Sequence, residues 1–103
     1  MEWTEIGAFM EAENVRVRIT GRVQGVGFRA WIADHARRLD LGGWVRNRRD
    51  GSVEAVFSGA PEDVEAMVVL CREGPRYAEV SGVQVSAEAE TVRGDGFKIL
   101  PTG

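Results

Sequence analysis

Residues 15–39, VRVRITGRVQGVGFRAWIADHARRL, change their hydrophobic period once, at the glycines. Before them, Val15, Val17 and Ile19 alternate with Arg16, Arg18 and Thr20, the period-two pattern of a strand with one face on a core and the other in water. After them, Phe28, Ile32, Ala36 and Leu39 are spaced four, four and three, which lines one side of a helix running to about Leu39, with Gly42 and Gly43 beyond as stop signals. Three glycines lie in the seven positions between, Gly21, Gly25 and Gly27, and Phe28 and Arg29 follow at once. A strand therefore feeds a glycine-rich loop that opens a helix.

The remaining segments extend the pattern. Residues 43–47, GWVRN, read as a short strand, and residues 52–57, SVEAVF, as its hairpin partner with Val53, Ala55 and Phe57 on the buried face. The link RRDGS holds the Asp50-Gly51 pair favoured in tight hairpins. Pro61 suits a first helical position, Glu62 and Asp63 suit the positive end of the helix dipole, and Val64, Met67, Val68 and Cys71 mark one face before Gly74 and Pro75 stop the helix. Val83, Val85 and Ala87 alternate in a further strand, and Phe97 with Ile99 adds a short edge strand after the turn-like residues 93–96, RGDG. The order is βαββαβ, which predicts a ferredoxin-like α+β sandwich: an antiparallel sheet with two helices on one face.

Composition limits what such a domain does. With 103 residues the chain is long enough for one core, and 44% hydrophobic with 28% charged residues is ordinary for a globular protein. Cys71 is the only cysteine, so no intrachain disulfide forms and no cysteine cluster can hold zinc. The N-terminal residues carry acids where a secretory leader carries bases, and no run approaches the roughly 18 apolar residues of a membrane span. A cytoplasmic protein with no membrane partner is expected. The net charge of −3 conceals nine arginines against Asp34 and Asp40 within residues 16–49, a concentration around the glycine loop that favours a small anion over nucleic acid.

Glycines let successive backbone N–H groups turn toward a ligand, and the first helical amides have no partner of their own, so a loop of this kind is a recipe for an anion nest. The loop lacks the GK[ST] ending of a nucleotide P-loop and the GxGxxG order of a dinucleotide turn. On its glycines alone it is equally a plain turn. Arg29, in the first turn of the helix, is placed to fold over the loop and grip two oxygens, or to be a solvated surface arginine. In this topology the first two strands lie parallel with the third between them, so Asn47 closes the second strand at the same sheet edge as the loop. There it either opens the hairpin as an ordinary polar residue or, as a neutral amide, orients a water molecule.

GRVQGVGFR at residues 21–29, followed by GWVRNRRDGSVE at residues 43–54, strongly resembles the acylphosphatase family, small α/β-sandwich hydrolases that cleave the carboxyl–phosphate bond of acyl phosphates. The resemblance covers about residues 14–100 and implies a role for each matching position. Arg29 corresponds to the phosphate-binding arginine and Asn47 to the water-orienting asparagine, while Arg22, Val23, Gln24, Gly25, Val26, Gly27 and Phe28 supply the phosphate-binding loop amides. A carboxylate is a good leaving group, so no metal and no cofactor is expected. The implied partners are a small-molecule acyl phosphate and inorganic phosphate, the product and a competing ligand, with the chain acting as a monomer.

Two other readings belong to different classes. Domains with this signature also occur inside larger carbamoyl-transferring maturation enzymes that act on carbamoyl phosphate. A non-catalytic anion- or RNA-binding sandwich is the second, but RNA platforms carry exposed aromatics where this sheet is expected to show Arg, Thr, Glu, Val and Ser. His35, about two turns past Arg29, and Cys71, on an apolar stripe, are expected to be structural. Residues 1–13 precede the domain, and the spacing of Trp3, Ile6 and Met10 suits a short docking helix as well as a frayed tail. Residues 101–103 form a C-terminal tail.

Overall fold

A computed structural model describes residues 12–89 and 96–103. The helix or tail expected within residues 1–13 lies outside the described residues apart from its last two positions, as does most of the turn expected at residues 93–96.

Seven elements follow in order: β1 (Glu13–Arg22), α1 (Phe28–Arg38), β2 (Gly42–Asn47), β3 (Val53–Gly59), α2 (Pro61–Glu73), β4 (Glu79–Ala87) and β5 (Phe97–Ile99). They form one sheet in the order β4-β1-β3-β2-β5. β3 is central because its apolar residues are buried along almost their whole length, and it pairs antiparallel with β1 through Val17 and Ala55 and with β2 through Val45 and Ala55. β1 and β2 therefore run parallel with β3 between them, as the crossover helix requires. The sheet is antiparallel except at its short edge, where β5 runs parallel to β2 with Val45 opposite Ile99, so it is mixed rather than purely antiparallel.

The core lies between the sheet and the two helices. Val15, Val17, Ile19, Val45, Val53, Ala55 and Phe57 meet Phe28, Ile32 and Ala36 of α1 and Val64, Met67 and Cys71 of α2. Each large side chain buried here stabilises the fold by about 1.5–3 kcal/mol relative to exposure. Phe57 stacks on Phe97 with ring centroids 5.6 Å apart, which secures the three-residue β5 to the sheet. Burial pushes the Cys71 thiol up to about 12, consistent with a packing role. His35 is half-buried with its ring 4.6 Å from that of Trp31, edge to face.

Two local structures differ from the periodic reading. α1 is stopped by Asp40, not by Gly42: Asp40 adopts a left-handed φ of 59°, its N–H donates to the Arg37 carbonyl and that of Leu41 donates to the Ala36 carbonyl. That is a Schellman end with buried Leu41 as its apolar contact, and it frees Gly42 and Gly43 to begin β2. In β4 the register against β1 slips between Thr20, opposite Gly82, and Gly21, opposite Val80. This bulge lets Val80 and Val83, three apart, both pack on the core, whereas Val85 is 43% exposed over a hollow it shares with Val68 and Val69 of α2.

The open face carries charge. Glu54 accepts from Arg46 and Arg48, each at 3.0 Å, and from Arg16, which also reaches Glu88 at 2.9 Å. Trp44 lies between Arg16 and Arg46, whose guanidinium carbons are 5.5 and 5.1 Å from its ring centroid. Burial acts to raise the Glu54 carboxyl, but Arg46 and Arg16 outweigh it and hold the group below its ordinary value. Asp50, at the hairpin tip, is lowered from 3.8 to about 2, chiefly because its Oδ1 accepts from the Ser52 hydroxyl at 2.7 Å and N–H at 2.9 Å, with Arg18 adding an ion pair. A carboxyl whose folded-state value lies below its unfolded value stabilises above the unfolded value and loses that contribution as pH falls through the folded one. Asp50→Asn is therefore expected to lower the thermal midpoint at pH 7, with the gap to wild type closing between about pH 4 and pH 2. A gap independent of pH in thermal scans contradicts this assignment.

Candidate active site

β1 and β2 end at one edge of the sheet, and a cavity of about 270 Å3 opens there between the β1–α1 loop and the end of β2. The loop's conformation depends on Gly25 and Gly27, with φ of 76° and 79°, values that side chains rarely accept. A Cβ at either position meets nothing within 4 Å, so the backbone shape, not crowding, calls for glycine there. The space beside both positions stays open.

Gly27 caps α1 without a side-chain acceptor, and the first helical hydrogen bond runs from the Trp31 N–H to the Gly27 carbonyl at 3.1 Å. The amides of Phe28, Arg29 and Ala30 thus precede the helical ladder, where Ser, Thr or Asp would ordinarily accept from one of them. No acidic residue sits in the first turn, so the positive end of the helix dipole is left uncompensated at the cavity.

Arg29 and Asn47 both line this cavity, as do Val23, Gln24, Gly25, Gly27 and Phe28. Arg16, Arg18, Arg38, Arg46 and Arg48 are each held by a carboxylate, whereas among the described residues none lies within ion-pair distance of Arg29. An uncompensated guanidinium beside open amides draws an anion able to accept from both.

The expected set is not fully assembled. Arg22 is the last residue of β1, opposite Glu79 of β4, and does not line the cavity, and neither does Val26, which packs partly against the core. Ala30 and Ile99 line it without having been anticipated from the sequence. Ile99 arrives because β5 runs parallel to β2, and the chain beyond it follows β2 to its end, where the Gly103 N–H donates to the Asn47 carbonyl at 3.0 Å. Only the Phe97–Ile99 alternation hinted at this edge, and it gave no strand direction.

Residues 15–99 match the family model described as Acylphosphatase. The chain belongs to the acylphosphatase family. It is 52% identical over 93 residues to an acylphosphatase of Bradyrhizobium diazoefficiens, covering 85% of this chain and 94% of that one. Against an acylphosphatase of Rubrobacter xylanophilus it is 46% identical over 89 residues, 86% of this chain and 81% of that one. The solved structure of an acylphosphatase from Coxiella burnetii superimposes with a TM-score of 0.83 at 30% identity, covering 90% of this chain and 97% of that chain. Full-length HypF, in a phosphate- and nucleotide-bound form, also superimposes, with a TM-score of 0.76 at 27% identity over 89% of this chain but only 12% of its own. The family match and the relatives named acylphosphatase support acyl-phosphate hydrolysis.

Proposed function

We propose that the β1–α1 loop and Arg29 hold the phosphoryl group of an acyl phosphate while Asn47 holds the attacking water. The observation that carries this reading is the convergence of open helix-terminal amides, an arginine without a carboxylate partner among the described residues and a neutral carboxamide on one cavity. In the proposed reaction, water oxygen bonds to phosphorus and the P–O bond to the acyl group breaks with its electron pair leaving on the carboxylate. The water protons pass to phosphate and solvent. Charge developing on the phosphoryl oxygens meets donors already in place, so little reorganisation accompanies the transition state. The departing carboxylate needs no proton, which is why neither a general acid nor a metal enters the scheme.

Because the same groups bind the product, inorganic phosphate is expected to compete with benzoyl phosphate in the wild type, raising KM and leaving kcat unchanged. Steady-state rates across a phosphate series test this, and purely non-competitive inhibition contradicts it.

The arginines of the open face are interleaved with Glu54, Glu88 and Asp50 and flank a single tryptophan, which speaks against a nucleic-acid platform. Among the described residues no helix is long and apolar enough to cross a membrane. A lone buried thiol supports a cytoplasmic setting.

A further inference from the structure

The loop amides and Asn47 belong to different elements, and their separation has to be fixed by something other than strand pairing. Gln24 supplies the link. Its Nε2 donates to the carbonyl oxygen of Arg48 at 2.8 Å and to that of Ser52 at 2.9 Å. Both acceptors are carbonyls, so the NH2 end of the amide has to face them, and both of its N–H groups are used.

Arg48 directly follows Asn47, and the two acceptors close the β2–β3 hairpin. The Arg48 N–H donates to Ser52 O at 2.8 Å and the Gly51 N–H to Arg48 O at 3.1 Å, a three-residue loop with Gly51 left-handed. Ser52 is buried and is held from its other side by Asp50. The hairpin is thus a fixed post, while the loop it faces has open space beside Gly25 and Gly27.

We propose that Gln24 is a positioning residue: it hangs the phosphate-holding loop from the hairpin and so sets the distance between the phosphoryl group and the water held by Asn47. This rests on the reading of Arg29 and Asn47 given above. The loop amides and Arg29 are contiguous in the chain and keep their relation to one another without Gln24. Losing the clasp shifts them together relative to Asn47, so turnover suffers and phosphate affinity does not.

The test is a double-mutant cycle of Gln24→Met with Asn47→Ala, assayed with benzoyl phosphate and with inorganic phosphate as inhibitor. Methionine keeps the side-chain volume and removes both donors, and Gln24→Ala serves if methionine does not fold; circular dichroism confirms the folded state of each. Gln24→Met is expected to lower kcat about 10- to 100-fold, since a displacement near 1 Å costs that much, with the phosphate inhibition constant within about threefold of wild type. In the Asn47→Ala background the same change is expected to cost under about threefold, because the water it serves is already misplaced. A loss that multiplies through in both backgrounds, phosphate affinity falling with kcat, or full turnover in Gln24→Met beside an impaired Asn47→Ala overturns the proposal alone. Wild-type turnover in Asn47→Ala overturns the reading of the site and the proposal with it.

Discussion

Arg29→Ala is expected to lower kcat/KM for benzoyl phosphate by at least 100- to 1,000-fold, about 3–4 kcal/mol, and to weaken inhibition by inorganic phosphate in parallel. Both effects follow from one arrangement. Arg29 sits in the first turn of α1, lines the cavity, and has no carboxylate partner among the described residues. In the proposed reaction its charge meets the phosphoryl oxygens of the bound substrate and again, more strongly, as negative charge grows on them. Removing it therefore costs ground-state binding and turnover together. Arg29→Lys is expected to recover only part of the loss, because an ammonium delivers a point charge where a guanidinium delivers two parallel donors. Full phosphate affinity in Arg29→Ala is the result this account does not allow.

Asn47→Ala is expected to show the opposite division, with kcat falling about 100-fold while KM and phosphate inhibition stay near wild type. Asn47 ends β2, with its carbonyl taken by the Gly103 N–H and the next residue's carbonyl by Gln24. Its main chain is secured from both sides, and its side chain lines the cavity opposite the loop. In the proposed reaction a carboxamide there orients water without carrying charge, so its removal is expected to disturb attack and leave phosphoryl binding to the loop and Arg29. Steady-state parameters for the two variants separate the roles, and indistinguishable kinetic defects contradict the division.

The β1–loop–α1 unit was legible because two periods meet at glycines there, and Val17 and Ile32 sit on the faces their spacing indicates. Arg29 was singled out by its place in the first helical turn and Asn47 by topology, since the crossover rule brings the ends of β1 and β2 to one edge, and the resemblance alone assigned their roles. What escaped depends on contacts between distant segments. No spacing rule places a bulge in β4 between Gly82 and Val80, or makes Asp40 rather than Gly42 the left-handed end of α1. Arg22, which the resemblance assigns to the phosphate-binding loop, is the last residue of β1, two positions beyond the alternation that ends at Thr20, and pairs with Glu79. Ile99 enters the cavity wall through strand direction, and the Gln24 side chain leaves the loop for the hairpin because two carbonyls stand within its reach.

The central claim, that the loop and Arg29 hold the phosphoryl group for metal-independent hydrolysis, is tested most directly by benzoyl phosphate turnover in EDTA, comparing wild type with Arg29→Ala. Turnover that survives chelation in the wild type and falls at least 100-fold in the variant is the predicted result. Wild-type activity abolished by EDTA, or retained in full without Arg29, contradicts it.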